Sequence, residues 1–313
     1  MSDGALDLAR AALGDIAALS HLDPAAVSVE RLGGLTNLVF RVASGEETWC
    51  LRLPGKGTEE YINRADEAQA AREAARAGVS PQVIHADPDS GIMVSTFIDG
   101  ATTMSPELFG SIKGSPGRAG RAFKALHSSD AVFNFRFELF SMIDDYLGIL
   151  SGKTVDLPEG YHDVLKDSES VREALEAHPL PSAACHCDPL CENFLDTGER
   201  MWIVDWEYSG MNDPMWDLGD LSVEGGFNEA QDEEMITAYF GGEPAPDALG
   251  RIVIYKAMCD LLWTLWGLIQ HANDNPAEDF WAYSTGRFDR CKALMASPDF
   301  QGHVNAVARG PQS

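Results

Sequence analysis

The alternation of apolar and polar residues over the first hundred positions predicts a helix, a meander of strands, a second helix and two further strands. Apolar side chains recur at helical spacing over residues 5–19, whereas the strands are short β-rich runs between glycine-containing turns. The predicted elements are, in order, a helix at 5–19, strands at 29–32, 37–42 and 48–53, a helix at 60–77, and strands at 83–85 and 92–97. This order predicts a small lobe that combines helices with an antiparallel sheet.

After Asp99 and Gly100 the pattern becomes mostly helical, with short strands predicted only near 193–195 and 201–204. We therefore place a lobe boundary near residues 98–101. The expected fold class is α+β, with a small β-rich N-terminal lobe at residues 1–98 and a larger, mainly helical C-terminal lobe at residues 99–313.

The charge balance limits the partners that the chain can bind. Its 313 residues contain 49 Asp and Glu but 23 Lys and Arg, which gives a net charge of −26 at pH 7. Nucleic acid and anionic membrane both require basic patches, so neither is an expected partner. A small cationic substrate suits this charge, although an acidic surface also serves solubility alone.

The apolar runs are too short or too charged for a membrane-spanning segment. No stretch of about 18 uncharged apolar residues occurs, and residues 1–19 mix Asp3, Asp7, Arg10 and Asp15 into their apolar pattern, unlike a secretory leader. The six cysteines, three of which lie at 185, 187 and 191, do not resemble the framework of a small secreted domain. We expect a cytoplasmic protein with reduced thiols and no membrane insertion.

One segment carries most of the candidate chemistry. Residues 185–193 read Cys-His-Cys-Asp-Pro-Leu-Cys-Glu-Asn, and a predicted strand leads to Asp205 twelve residues later. Phosphoryl transfer needs an aspartate that orients the attacking hydroxyl and accepts its proton, together with oxygen ligands for Mg²⁺. Asp188 is the candidate base, Asn193 and Asp205 are the candidate metal ligands, and His186 is a hydrogen-bonding brace for the loop.

Two other interpretations of this segment stay open on the residues alone. A pattern this loose can arise by chance, with its carboxylates solvated on a loop. Alternatively, Cys185, His186, Cys187 and Cys191 could bind zinc, although they lack the paired Cys-x2-Cys spacing of common structural sites. Small apolar fillers are the simpler interpretation of these thiols.

The His-x-Asp-x4-Asn segment and the aspartate that follows it resemble the catalytic and metal-binding segments of protein kinases. They are more similar to those of the aminoglycoside phosphotransferase and choline kinase superfamily. The resemblance implies a protein-kinase-like bilobal fold with ATP and Mg²⁺ in the cleft. The nucleotide-binding residues that it implies are, in chain order, Gly33, Gly34, Thr36, Asn37, Arg52, Glu67, Phe97 and Ile98.

These implied nucleotide-binding residues have different roles. The glycine turn at 33–34 lies between two predicted strands, where backbone N–H groups can approach phosphate oxygens. It could equally be an ordinary hairpin turn. Arg52 replaces the strand lysine of protein kinases, and Glu67 on the next helix is its expected partner, with Glu73 as an alternative. Phe97 and Ile98 would form the hinge that reads adenine.

The residues after Asp205 resemble the choline/ethanolamine kinase version of the superfamily pattern. The resemblance implies that Glu207 adds a second metal contact, that Asp217 braces the catalytic loop, and that Glu224 lies at the amino-alcohol site. Further along, Trp263, Trp266 and Tyr283 match the order of aromatic residues in the choline kinase pocket. Aromatic faces suit a quaternary ammonium, which has no N–H to donate. The alternative is that an aromatic pair at this helical spacing belongs to the core.

The sequence therefore predicts an ATP-dependent kinase that phosphorylates the hydroxyl of a small cationic amino alcohol, with choline favoured and phosphocholine as product. Ethanolamine kinase, aminoglycoside phosphotransferase and a non-catalytic choline- or nucleotide-binding relative are the alternatives. The oligomeric state is not determined by the sequence, and a homodimer stays open.

Overall fold

A five-stranded antiparallel sheet forms the first part of the protein, seen here in a computed structural model that describes residues 3–23, 26–32, 37–55 and 62–311. Its strand order is β1-β2-β3-β5-β4. The strands are β1 Ser28–Arg31, β2 Leu38–Ser44, β3 Glu47–Leu53, β4 Val83–Ala86 and β5 Met93–Thr96. All five lie where the hydrophobic pattern predicts strands.

The two faces of this sheet differ: one is apolar and packs against helices, and the other carries a charged side chain. Phe40, Val42 and Leu51 are buried on one face, where they pack with apolar residues of helix α1 (Asp3–Asp15) and of the short 3-10 turn Ala17–Leu19. Because successive side chains of a strand point to opposite faces, Arg52 on β3 points away from this apolar cluster. The sequence thus directs a charged side chain to the face that carries the site.

Helix α2 (Arg64–Arg76) supplies the acidic partner of that arginine. Its N-cap Asn63 accepts hydrogen bonds from Ala65 N at 3.0 Å and Asp66 N at 3.3 Å, which satisfies backbone donors that a helix start leaves unpaired. The buried face is made of alanines and Glu67. Small side chains allow close packing, and Glu67 in the first turn faces the sheet.

The second part of the protein contains five very short strands among its helices. They are β6 Thr102–Thr103, β7 Ala183–Cys185, β8 Phe194–Asp196, β9 Met201–Ile203 and β10 Gly210–Asn212. β6, β8 and β9 form one antiparallel sheet, and β7 pairs with β10. The sequence pattern predicted β8 and β9 but missed the other three, because two or three residues are too few to show a period.

The helices of this part surround one long apolar helix. They are α3 Pro106–Ser111, α4 Ser115–His127, α5 Leu139–Ser151, α6 Tyr161–Asp167, α7 Glu169–Ala177, α8 Met215–Glu224, α9 Glu229–Phe240, α10 Pro246–Ala272, α11 Phe280–Met295 and α12 Phe300–Arg309. By length and composition α10 could cross a membrane, but 83% of its most apolar window is buried inside the protein. Its apolar residues therefore form the core, which explains the high mean hydropathy of this part of α10.

The α+β fold class is confirmed by this arrangement of sheet and helices. The lobe boundary near residues 98–101 stays a prediction. Phe97 and Ile98 directly follow β5; the Phe97 amide donates to the Thr48 carbonyl at 3.3 Å, and the Arg41 guanidinium lies 5.3 Å from the Phe97 ring centroid.

Candidate active site

A buried aspartate on α8 shapes the loop that carries the His-x-Asp sequence. Asp217 is fully buried, and its two carboxylate oxygens accept the backbone N–H groups of His186 at 2.7 Å and Cys187 at 2.8 Å. His127 Nε2 lies 3.0 Å from the same carboxylate. Cys187 has a φ of +67°, an unusual conformation for a residue with a side chain. The bonds from Asp217 offset this cost, so Asp217 lies where the family resemblance placed the brace of the loop.

Further hydrogen bonds fix the rest of the loop backbone. His186 is buried, and its Nε2 lies 2.9 Å from the carbonyl of Val204, immediately before Asp205. Burial lowers the pKa of His186, which favours the neutral ring. Trp216 Nε1 donates to the Cys187 carbonyl at 3.1 Å, and Ser209 Oγ donates to the His186 carbonyl at 3.0 Å. His186 thus joins the catalytic loop to the segment that carries Asp205.

Asp188 follows this braced backbone and is half-buried. Asn193 Nδ2 donates to the Asp188 carbonyl at 3.0 Å, which closes the loop and turns the amide oxygen of Asn193 away from that carbonyl. Burial raises the pKa of Asp188 well above its usual range, and the negative charges of Glu224 and Asp205 add to the effect. A carboxylate in such surroundings is a suitable proton acceptor once cations have bound beside it.

Three carboxylates meet where the two parts of the chain face each other. One oxygen each of Glu67, Asp205 and Glu207 lies within 4.8 Å of the others. Burial and the charge of Glu207 raise the pKa of Asp205 to about 7. We call these three residues the carboxylate cluster. Converging carboxylate oxygens are the donor set that Mg²⁺ prefers, so these residues fit that ion.

Two arginines neutralise most of the charge of the carboxylate cluster. Arg52 forms an ion pair with Glu67, and its Nη1 is 3.0 Å from Asp205 Oδ1. Arg64 Nη1 lies 2.7 Å from Glu67 Oε2 and 2.6 Å from Glu207 Oε1. The Arg52 and Glu67 pair is the one that the sequence favoured. The alternative partner, Glu73, pairs with Arg76 instead.

The predicted metal ligands Asn193, Asp205 and Glu207 lie close together, and their role as ligands stays a prediction. The Val204 amide donates to the Asn193 carbonyl at 2.9 Å, which sets Asn193 beside Asp205. The sequence assigned Glu67 only to the pairing with Arg52. Its position in the carboxylate cluster depends on how α2 lies against the segment after β9, a contact that no local pattern predicts.

Part of the predicted phosphate loop lies outside the described residues. Gly33, Gly34 and Thr36 are the members of the loop that are not described. Asn37, the last member of the set, is buried; its Nδ2 donates to Glu207 Oε1 at 2.9 Å, and its Oδ1 accepts the Gly55 amide at 3.3 Å. Asn37 therefore connects Gly55, which follows β3, to the carboxylate cluster.

A group of aromatic side chains lies near Asp188, whose charge acts on one of them, Tyr283. The Tyr208 and Trp263 rings meet edge to face with centroids 5.6 Å apart, and Trp266 and Tyr283 meet edge to face at 5.8 Å. Trp266 Nε1 donates to Tyr208 Oη at 3.2 Å. The structure thus brings the predicted Trp263, Trp266 and Tyr283 together and adds Tyr208. Tyr208 directly follows the predicted metal ligand Glu207, and this position is the feature of the sequence that could have identified it.

Acidic residues and a buried arginine lie beside these rings. Arg287 forms an ion pair with Glu224, its Nη1 is 3.1 Å from Asp260 Oδ1, and its guanidinium lies 4.5 Å from the Tyr283 ring centroid. Asp220 on α8 accepts the Trp263 indole N–H at 3.4 Å. The sequence assigned a role to Glu224 but none to Asp220 or Arg287. The ion-pair partners of Arg287 and the indole partner of Asp220 lie on other helices, so spacing along the chain did not indicate these contacts.

The cysteines near the catalytic loop serve as buried small side chains. Cys187 Sγ lies 3.7 Å from the Cys185 carbonyl and 3.8 Å from Asn212 Nδ2, and it points away from the cleft. All six cysteines are free thiols. Burial raises the pKa of Cys185 and Cys187 well above the usual thiol range. Zinc needs thiolates, so these surroundings do not favour the zinc interpretation.

This fold and this site define a phosphotransferase, and the comparison with known proteins agrees. Residues 28–250 match the phosphotransferase enzyme family. A choline/ethanolamine kinase family protein from Mesorhizobium loti is 66% identical, with 98% of this chain and 100% of that chain covered and a TM-score of 0.89. The chain belongs to the phosphotransferase enzyme family and, within it, to the choline/ethanolamine kinase family, with the protein-kinase-like fold that the sequence predicted.

Other relatives are more distant. Choline kinase LicA from Streptococcus pneumoniae is 28% identical, covering 94% of this chain and 99% of that chain, with a TM-score of 0.76. A structure of LicA in complex with AMP is 30% identical, covering 86% and 91%, with a TM-score of 0.70. A probable ethanolamine kinase from Arabidopsis thaliana is 25% identical over 87% of this chain and 80% of its own length. The relatives therefore include kinases of both amino alcohols.

Proposed function

We propose that this protein transfers the γ-phosphoryl group of ATP to the hydroxyl of choline, with phosphocholine and ADP as products. The observation that carries the proposal is the aromatic group formed by Tyr208, Trp263, Trp266 and Tyr283, with Asp188 close enough to Tyr283 for its charge to act on that residue. A quaternary ammonium has no N–H, so aromatic faces and negative charge are the means by which a protein recognises it. We place this reaction in the cytoplasm, which suits the six free thiols.

Each residue near Asp188 has a role in this proposal. Asp188 accepts the proton of the substrate hydroxyl as that oxygen attacks the γ-phosphorus in line with the departing ADP oxygen. Asp205, Glu207 and Asn193 would hold Mg²⁺, with Glu67 close enough to contribute. When bound, Mg²⁺ supplies neutralising charge to the phosphates. Arg52 lies beside these carboxylates and would hold the α- and β-phosphates.

Ethanolamine is the second candidate substrate. A primary ammonium donates three hydrogen bonds and needs carboxylate acceptors, and Asp220 and Glu224 offer them close to Asp188. A relative named as a probable ethanolamine kinase adds weight to this candidate. The aromatic group favours choline because a primary ammonium gains less from four aromatic faces.

The test measures ADP release by the purified protein with Mg·ATP and either choline or ethanolamine. We expect choline to give the higher kcat/KM. Asp188→Asn should lower kcat by about 10²- to 10⁴-fold, the range that a general base contributes. Full activity of a folded Asp188→Asn protein would contradict the proposed mechanism.

The substrate preference has its own variant and control. Trp266→Ala removes one aromatic wall and should raise the KM for choline about tenfold while it changes the KM for ethanolamine less. Trp281→Ala is the matched control, because Trp281 is 39% exposed and its ring contacts His271, outside the aromatic group. A choline KM that Trp266→Ala leaves unchanged would favour ethanolamine as substrate.

A further inference from the structure

One face of helix α8 carries three acidic residues toward the active site. Asp217, Asp220 and Glu224 are spaced three and four residues apart, so they share a helical face. Asp217 holds the backbone of the catalytic loop next to Asp188. Because the face is directed at that loop, Asp220 and Glu224 in the following turns lie near Asp188. Burial and the charge of Glu224 raise the pKa of Asp188, and burial with the charges of Glu224 and Asp188 raises the pKa of Asp220.

The two carboxylates in these turns are not equivalent. Glu224 is paired with the buried Arg287, which also bonds to Asp260 at 3.1 Å. Asp260 in turn receives Arg290 at 2.7 Å. Glu224 and Asp260 together are therefore matched by two arginines, and little of their negative charge is left for a ligand.

Asp220 has no such partner. Its side chain is fully buried, and from the part of the chain that the structure describes Oδ2 accepts one hydrogen bond, the Trp263 indole N–H at 3.4 Å. Its other oxygen, Oδ1, is buried without a hydrogen-bond partner, and within the described ranges no basic side chain forms a salt bridge with Asp220. A buried carboxylate in this state is costly unless a cation joins it. Burial and the charge of Glu224 accordingly raise the pKa of Asp220 well above its usual range.

We propose that Asp220, which forms no salt bridge among the residues that the structure describes, supplies in place of Glu224 the negative charge that recognises the ammonium group of the substrate. This inference rests on the proposed function and names the residue that sets its cation specificity. The Trp263 ring, held by the same carboxylate, gives the ammonium an aromatic face beside the charge. Glu224 acts differently: it orients Arg287 and, through it, Tyr283.

The experiment compares choline with 3,3-dimethylbutan-1-ol, its uncharged isostere in which a carbon replaces the nitrogen. Asp220→Asn removes the charge and keeps the shape. It should raise the choline KM about tenfold or more, with kcat nearly unchanged, and leave the KM for the neutral isostere within about twofold. Asp289→Asn is the matched control, because this carboxylate is 71% exposed on α11 and the charge change is the same. Its choline KM should stay that of the unaltered protein.

Glu224→Gln decides between the two carboxylates. Under the proposal Glu224→Gln changes the KM for choline and the KM for the neutral isostere alike. The substitution disturbs the position of Tyr283 and not the charge that meets the substrate. A choline-specific loss in Glu224→Gln, with Asp220→Asn unaffected, would overturn the proposal. So would an Asp220→Asn protein that loses affinity for both alcohols equally.

Direct binding separates failure of this inference from failure of the proposed function. Absence of turnover with choline would refute the proposed function alone. Calorimetric titration with choline and with ethanolamine then still tests Asp220. Weaker binding of either cation by about tenfold in Asp220→Asn supports the inference. Equal affinity of the two proteins, or no binding of either cation to the unaltered protein, contradicts it.

Discussion

The two sides of Asp188 have the same balance of acidic and basic residues, but we propose that they bind different cations. The carboxylate cluster combines Glu67, Asp205 and Glu207 with two arginines, and the opposite side combines Asp220, Glu224 and Asp260 with two others. In the first, the oxygens converge within 4.8 Å. In the second, one buried carboxylate is left apart among aromatic rings.

This difference follows from what each cation demands. A small divalent ion requires several oxygens around one point, and these oxygens need partial neutralisation while the ion is absent. A bulky organic ammonium requires one charge and apolar faces, so a single unpaired carboxylate is sufficient. Asp188 lies between the two sides and is affected by both, which suits a residue that links phosphate and alcohol.

The largest expected effect is at the carboxylate cluster. Asp205→Asn should lower kcat by about 10³-fold with every alcohol, because a lost metal ligand removes several kcal/mol of charge stabilisation. The KM for choline should change little, since Asp205 lies on the phosphate side. Steady-state kinetics at several Mg²⁺ concentrations tests this. A variant that loses choline affinity but keeps kcat would show that the two sides are not separate.

Arg287→Gln should cause the next largest change, this time in stability. It leaves Glu224 and Asp260 buried without their shared cation, a loss that typically costs about 3–5 kcal/mol. Urea unfolding measures this cost. Arg290→Gln is the matched control: it bonds to the same Asp260 but its side chain is 55% exposed, so about 1 kcal/mol or less is expected. Equal losses in the two variants would show that burial of Arg287 is not what matters.

The sequence predicted best the residues that are near each other along the chain. His186, Asp188 and Asn193 form one continuous loop, and Asp205 and Asp217 follow at short distances, so their spacing made the family resemblance visible, and the resemblance implied their roles. The sheet was predictable for the same reason, because each strand of four to seven residues shows its own alternation. These features depend on local pattern.

The missed residues depend on contacts between distant elements. Arg287 on α11 reaches Glu224 on α8 across 63 positions, and Trp263 reaches Asp220 across 43. The hydrophobic periodicity of a helix does not predict that α8, α10 and α11 converge at one point. Asp220 was also easy to overlook because a helical aspartate usually faces solvent. Only burial on the folded helix distinguishes it from a surface charge.

Asp220→Asn should make the protein more stable at neutral pH by about 1 kcal/mol or more. The folded state raises the pKa of Asp220, so the stability that its carboxyl contributes is present below the unfolded pKa and is lost as pH rises through the folded pKa. Asparagine does not titrate, so the stability of the variant is not lost in this way as pH rises. Urea unfolding between pH 5 and 8 should therefore show a gain that grows with pH, whereas Asp289→Asn gives no comparable trend. A gain independent of pH over this range would contradict the raised pKa of Asp220 in the folded protein.

The smallest expected effect concerns Arg64, whose guanidinium bonds to the same carboxylate oxygens that would bind the metal. Its Nη1 lies 2.7 Å from Glu67 and 2.6 Å from Glu207, so a divalent ion must displace it. Arg64→Gln should therefore tighten Mn²⁺ binding without nucleotide about threefold to tenfold, measured by calorimetry. Arg72→Gln is the matched control, because it removes an equal charge from the same helix. Arg72 donates to the Ala86 carbonyl at 3.2 Å, so its loss should leave the affinity for Mn²⁺ unchanged. Weaker binding in Arg64→Gln would mean that this arginine holds the carboxylates in place for the ion instead of competing with it.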